Sequence, residues 1–232
     1  RMSATICPRD AETLFYGLAV GERGGWGFGQ SAYVKKYTNW YHKPSEDTNR
    51  RSGINFRHIR LADVYLMYAE AVLNASGDVD MAIEYIDKIR SRSGVKTLVQ
   101  LMDEFGGKFP QLHVSIQVHG SQPTVSPTAE NVMTHLRRVE RPLELCFEGH
   151  RYKDLVRWGI VKEVFDELRQ DEIWREQNKD GVLDIGNNGV APLFIVERIR
   201  PDFFLSAQNY SPEQHNYFPI PTQERQTNPL IE

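Results

Sequence analysis

The feature that most limits what this chain can become is a pair of apolar stripes, in RLADVYLMYAEAVLN (60–74) and MAIEYIDKIRSRSG (81–94), separated by ASGDVD. In the first, Leu61, Val64, Tyr65, Tyr68, Ala69 and Val72 recur at the three- and four-residue steps of an amphipathic helix, and Met81, Ala82, Tyr85, Ile86 and Ile89 repeat the pattern in the second. Asp78 or Asp80 can cap the start of the second helix, and Gly94 can take the left-handed conformation that ends it. A connection of about three to five residues leaves two such helices only one arrangement, side by side and antiparallel. Gly77 in the turn, small Ala82 after it and large Ile86 four residues on also match the way a tetratricopeptide pair is closed, although the chain carries no second copy.

Around this pair the texture varies. Five glycines between Gly21 and Gly29 forbid a stable helix in GERGGWGFGQ, and AYVKKYTNWY after it reads as a short strand. Residues 97 to 126 hold scattered Gly and Pro with little periodicity, which predicts a surface excursion with one helical turn at VQLMDEF. Ser126-Pro127 opens another helical stretch with apolar positions Val132, Leu136, Val139, Leu143 and Phe147. Pro142 interrupts it, predicting a kink near Arg138 to Pro142. A segment with Tyr152, Leu155, Val156 and Trp158 follows Gly149, and a third runs from about Lys162 to Arg169. The remainder, with KDGVLDIGN, APLFIVERI and YFPIPTQE, reads as turns and short strands. The fold class is mainly α, with a tetratricopeptide-type helix pair at 58–94, helices over 127–170 and a loop-rich periphery with short strands.

A formal net charge of -3, from 28 basic and 31 acidic residues, gives no electrostatic footprint for nucleic acid. Cys7 and Cys146 are too few for a disulfide framework, and Cys146, between Leu145 and Phe147, reads as a small buried hydrophobe. No run of about 18 apolar residues is present to span a bilayer. The opening RMSATICPRD has neither an initiator methionine nor signal-peptide character, which suits a processed or partial piece.

The densest chemistry lies in ERPLELCFEGHRYKDLVRWG (140–159). On a helix, Glu140, Glu144 and Glu148 share a face, with Arg137 and Arg141 one turn from Glu140 and Glu144. Carboxylates stacked beside Arg are held ionised, whereas a general acid/base pair needs two carboxyls converging with pKa values driven apart. Glu144, Glu148 and His150 do not have zinc-protease spacing, and the neighbouring arginines repel a cation. The residues therefore read as a structural ion-pair network of Arg137, Glu140, Arg141, Glu144, Glu148 and Arg151, with Glu70 on the first helix as a recipient of an Arg. Neither catalysis, a metal nor a cofactor is indicated.

Three blocks together resemble one family. NFRHIRLADVYLMYAEAVLNASGDVDMAIEYIDKIRSRSG is similar to the helix-pair signature of the SusD/RagB outer-membrane nutrient-binding lipoproteins. VERPLELCFEGHRYKDLVRWG resembles their most recognisable segment, and YFPIPTQERQTNPLI (within 210–232) their closing one. The opening RMSATI looks like the family's Asp-x-Arg block cut at or just before its Arg, with AYVKKY as the Lys-Tyr strand after it. Pro142 stands where the family usually has an Arg.

The resemblance implies a SusD-like fold, of which residues 1–232 would be the C-terminal half, without the N-terminal half and its lipidated Cys. It implies a non-enzymatic, lipid-anchored protein at the outer-membrane surface that captures a glycan, or in some branches a peptide, and passes it to a SusC-like TonB-dependent transporter. A helical scaffold for protein association without ligand capture is the alternative. Sugar rings pack their C–H faces on aromatic rings while polar side chains take the hydroxyls. That chemistry is offered here by Trp26, Phe28, Trp40 and Tyr41, with Arg23, Gln30 and Asn39 beside them; anchoring the loop to the core is the commoner fate of any single such ring, and at least one is expected to touch ligand. EQNKDGVLDIGN (176–187) partly imitates a calcium loop, but a tight turn at Asp180-Gly181 explains it more simply.

Overall fold

The computed structural model describes residues 2–8, 14–15, 18–19, 32–40, 53–111, 123–177 and 203–228. A one-turn helix α1 (Met2–Thr5) leads into β1 (Ile6–Pro8), which pairs antiparallel with β4 (Ala32–Val34), Cys7 opposite Tyr33. The strands β2 (Leu14–Phe15) and β3 (Leu18–Ala19) form a minimal hairpin. Helices then dominate.

The expected helix pair is α2 (Leu61–Ala75) and α3 (Val79–Arg92). Gly77, at φ 69°, makes the left-handed turn between them, and the Asp78 carboxylate caps α3 by accepting from the Met81 N–H at 3.0 Å. Their contact is made by Leu66, Ala69, Leu73, Ala82, Ile83, Ile86 and Ile89, all buried. Burying each of the large aliphatic side chains contributes about 1.5–3 kcal/mol.

The phase of α2 differs from the sequence expectation. Its buried positions are Ala62, Asp63, Leu66, Ala69, Glu70 and Leu73, whereas Leu61, Val64 and Tyr68 are exposed at 62%, 42% and 43%. The helix is apolar on two faces, so periodicity alone admits two stripes. Packing selects the one whose small residues, Ala62 and Ala69, allow close approach.

The excursion begins with α4 (Leu98–Glu104), longer than the single turn expected, because Thr97 and Gln100 form a reciprocal capping box and Asp87 on α3 accepts from the Leu98 and Val99 N–H groups at 2.6 and 3.2 Å. Short strands β5 (Phe109–Pro110) and β6 (Thr124–Val125) then pair antiparallel.

The second helical stretch runs through α5 (Ala129–His135), a π-helical turn (Leu136–Glu140) and α6 (Arg141–Glu144). Pro142 has no N–H to donate, and the backbone just before it widens: the Arg141 N–H reaches back to the Leu136 carbonyl, five residues away, while the chain keeps right-handed helical dihedrals. The wide turn inserts a residue and rotates the stripe. Val132, Leu136 and Val139 are buried as expected, but beyond the turn Glu140, Arg141 and Glu144 face inward while Leu143 and Phe147 are 52% and 49% exposed. The helix ends at Glu144, so Glu148 lies in the following turn, next to Phe147 at φ 62° and Gly149 at φ 77°.

Helices α7 (Arg151–Trp158) and α8 (Val161–Gln177) share a second small core of Leu155, Val161 and Val164. Gly159, at φ 70°, separates them. In place of the short strands expected near the end, residues 203–228 carry α9 (Phe204–Asn209), α10 (Pro212–His215) and α11 (Thr222–Thr227). KDGVLDIGN, APLFIVERI and all but the first two residues of the calcium-like segment lie outside the described residues.

Candidate functional site

The turn between α6 and α7 meets the start of α2 through charge. The Arg60 guanidinium lies between two carboxylates: its Nε donates to Glu148 Oε1 and Oε2 at 3.0 and 2.8 Å, and its Nη1 to Glu144 Oε1 at 2.6 Å. Lys36, just past β4, donates to Glu148 and to the Cys146 carbonyl, and Arg92 at the end of α3 donates to Glu144. Burial pushes the Glu148 carboxyl upward, but the hydrogen bonds and charge of Arg60 and Lys36 outweigh it and hold it below the ordinary value of 4.5. A carboxylate so held is a poor proton donor at neutral pH.

Deeper in the helical layer, Arg141 is 3% exposed and donates through Nε and Nη2 to Asp154 at 2.8 and 3.1 Å, and through Nη1 to Asp63 at 2.9 Å. It thereby joins α6, α2 and α7. Arg157 grips Glu70 with two bonds of 2.6 Å, and the Trp158 indole N–H adds a third at 2.7 Å. Burial raises the Glu70 pKa and these partners lower it further, for a net depression. Glu140, fully buried, meets Arg90 from α3 and His135 Nε2 at 2.9 Å.

The local pairs expected along the helix, Arg137 with Glu140 and Arg141 with Glu144, are replaced by these long-range ones, because the π turn aims the carboxylates at neighbouring helices. Among the described residues neither Arg137 nor Arg151 makes an ion pair: the Arg137 guanidinium lies 5.3 Å from the Trp158 ring centre, and Arg151 donates to the Arg137 carbonyl at 2.9 Å. Arg60, Lys36, Arg90, Asp63, Asp154 and His135 escaped the sequence reading. Asp63 had a visible signal, an acid between apolar neighbours in the first turn of α2, and Asp154 lies in the charged 140–159 segment; the others had none short of tertiary contact. Cys146, expected buried, is half-buried.

Above the Arg60 cluster opens a cleft of about 870 Å³. Its walls come from α1 (Ala4, Thr5), from 35–40 after β4, from the approach to α2 (Ile54, Asn55, Arg57, Arg60) and from Arg92, Ser93, Leu143, Glu144 and Glu148. The strand end is held in place by the Lys35 and Lys36 N–H groups, which both donate to the Thr5 carbonyl. The chain then turns at Tyr37, φ 63°, a left-handed conformation that a non-glycine residue adopts only where its surroundings compel it. Here Tyr37 stacks on Phe56 at 5.3 Å between centroids, and the Thr38 hydroxyl donates to the Lys35 carbonyl at 2.6 Å. The result presents Trp40 and Tyr37 to the cleft, with the Lys35 ammonium 3.6 Å from the centre of the Trp40 ring.

Of the expected ligand contacts, Trp40 lines this cleft and Asn39 is buried, 7% exposed. Arg23, Trp26, Phe28, Gln30 and Tyr41 lie outside the described residues. Among the described residues no group of three or more His, Cys, Asp or Glu converges to hold a metal, and no helix is long and apolar enough to cross a membrane.

A sequence profile of the SusD family matches residues 19–232. The SusD-like protein P25 of Formosa agariphila is 28% identical over 172 residues, which are 74% of this chain and 22% of that protein. The crystal structure of a SusD superfamily protein from Bacteroides vulgatus has the same fold, with a TM-score of 0.58 and 26% identity, over 98% of this chain and 37% of its own. The chain thus spans well under half the length of either relative.

Proposed function

Because the chain belongs to the SusD family, we propose that it is part of a cell-surface nutrient-binding lipoprotein that captures an oligosaccharide and passes it to a SusC-like TonB-dependent transporter in the outer membrane. SusD-family proteins bind rather than catalyse, and carboxylates clamped by Arg60, Lys36 and Arg92 suit that role. The observation that carries the reading is Trp40, presented beside Tyr37 in a cleft large enough for a short oligosaccharide. An indole face removes the C–H face of a pyranose from water without needing charge, and Thr38 and Asn55 stand nearby for hydroxyls. Trp26, Phe28, Tyr41, Asn39 and Arg23 are proposed as further contacts on sequence grounds, with Asn39 acting from a buried position.

The test is titration of the full-length protein with a panel of oligosaccharides and peptides. Binding of a saccharide, weakened about two- to tenfold by Trp40→Ala with the fold intact, supports the reading. A protein that binds no saccharide refutes capture in favour of a peptide-binding or purely scaffolding role, and a saccharide bound with affinity indifferent to Trp40→Ala, Trp26→Ala and their combination refutes the choice of site.

A further inference from the structure

The charge of the cleft narrows the class of ligand, an inference that rests on the saccharide-binding reading above. Among the described residues, five cations, Lys35, Lys36, Arg57, Arg60 and Arg92, line it against two carboxylates, Glu144 and Glu148. Both carboxylates are engaged within the wall: Glu148 accepts from Arg60 and Lys36, and Glu144 from Arg60 and Arg92. Among the described residues, Lys35 and Arg57 have no carboxylate partner.

Lys35 is the more telling of the two. It is 5% exposed, and its ammonium rests on the Trp40 ring. An ammonium on a side chain with so little access to water loses part of its hydration, and the π face of an indole offsets only part of that loss. The alternative of a satisfied structural lysine is represented next door by Lys36, which has both a carboxylate and a carbonyl. Arg57 is exposed on the rim of the same cleft. The excess of cations among the described lining residues, in a chain of net charge -3, also concentrates anions locally, since low-dielectric walls focus the field.

We propose that the cleft takes an acidic saccharide, one carrying a uronate carboxylate or a sulfate ester, whose anionic group meets Lys35 with Arg57 at the rim while a sugar ring packs at Trp40. The anion pairs with cations that have no carboxylate partner among the described residues, and the aromatic residue supplies the part of recognition that is specific to a sugar.

Matched ligands separate this inference from the reading beneath it. Full-length protein is titrated calorimetrically with trigalacturonate and its carboxyl-reduced neutral counterpart, with a sulfated galactan trisaccharide and its desulfated counterpart, and with triglutamate. The expected result is preference for one acidic saccharide over its neutral partner, falling as salt is raised. The carboxylate and sulfate arms identify the source of the charge. Lys35→Met lowers affinity for the acidic saccharide about thirtyfold or more and brings the acidic-to-neutral ratio near unity. Arg57→Gln, at an exposed position, lowers the same ratio about two- to fivefold, and this second variant leaves the buried wall untouched. Lys108→Gln, exposed and outside the cleft, leaves the ratio unchanged.

Equal binding of acidic and neutral saccharides, or an acidic preference that survives both Lys35→Met and Arg57→Gln, overturns the acidic-ligand inference while leaving saccharide capture standing. Binding of triglutamate in place of every saccharide overturns both.

Discussion

Replacing Arg141 by Met tests the buried charge network most directly. The side chain is 3% exposed and makes three hydrogen bonds to two carboxylates, Asp63 and Asp154, themselves 3% and 5% exposed. Removing the guanidinium does not strand them equally. Asp154 keeps the Arg157 Nε bond at 2.9 Å, whereas Arg141 is the ion-pair partner of Asp63 among the described residues. One buried carboxylate is left bare and a second half-paired, the situation in which breaking a buried pair costs about 3–5 kcal/mol. Urea denaturation followed by circular dichroism reads the loss as a lower midpoint at unchanged slope. Adding Asp63→Asn to Arg141→Met removes the bare charge and recovers a substantial part of the loss. A loss under about 1 kcal/mol, the scale of an exposed pair, refutes the reasoning.

Acid sensitivity follows from the other clamped carboxylates. Glu148 and Glu70 have folded pKa values below the ordinary 4.5, so the unfolded chain takes up protons first as pH falls. Their stabilisation is complete above about pH 4.5 and is lost as pH drops through the depressed folded values; a urea midpoint that stays flat from about pH 6 to 3 contradicts this. Asp87→Ala removes the carboxylate that holds the first two N–H groups of α4 and lowers stability by about 1–2 kcal/mol, with faster amide exchange at Leu98 and Val99 as the local readout. Gly77→Ala costs about 1–2 kcal/mol from its positive φ alone, because an added Cβ meets nothing within 4 Å. A markedly larger thermal-shift loss in that variant places a contact there that the geometry lacks.

The helix pair was legible because its determinants are local. Asp78 caps α3, Gly77 takes the left-handed turn, and both act within a few residues of themselves. The face that α2 buries was not, since Leu61, Val64 and Tyr68 form as good a stripe as Ala62, Leu66 and Ala69, and only the neighbour's shape distinguishes them. In sequence Pro142 predicts a kink, whereas its consequence in the fold is rotational. The π turn that accommodates it converts the 140–144 stretch from an apolar stripe with charges outside into a charged face turned inward. A regular period cannot anticipate that change, because the added residue is visible only in the backbone bonds.

The same distinction governs the candidate site. Acids and arginines in 140–159 advertise an ion-pair network by density, yet each partner is chosen by tertiary contact: Glu148 by Arg60, 88 residues away, and Glu70 by Arg157, 87 away. Trp40 is visible in sequence as an aromatic in the polar stretch KKYTNWYHK. Its neighbour Lys35 carries no signal there, because a lysine in sequence reads as solvated. Its burial against the indole appears only in the fold, as does the engagement of Glu144 and Glu148 by Arg60, Arg92 and Lys36. Which cations lack a carboxylate among the described residues is a property of the pairing pattern that no count of 28 basic and 31 acidic residues could contain.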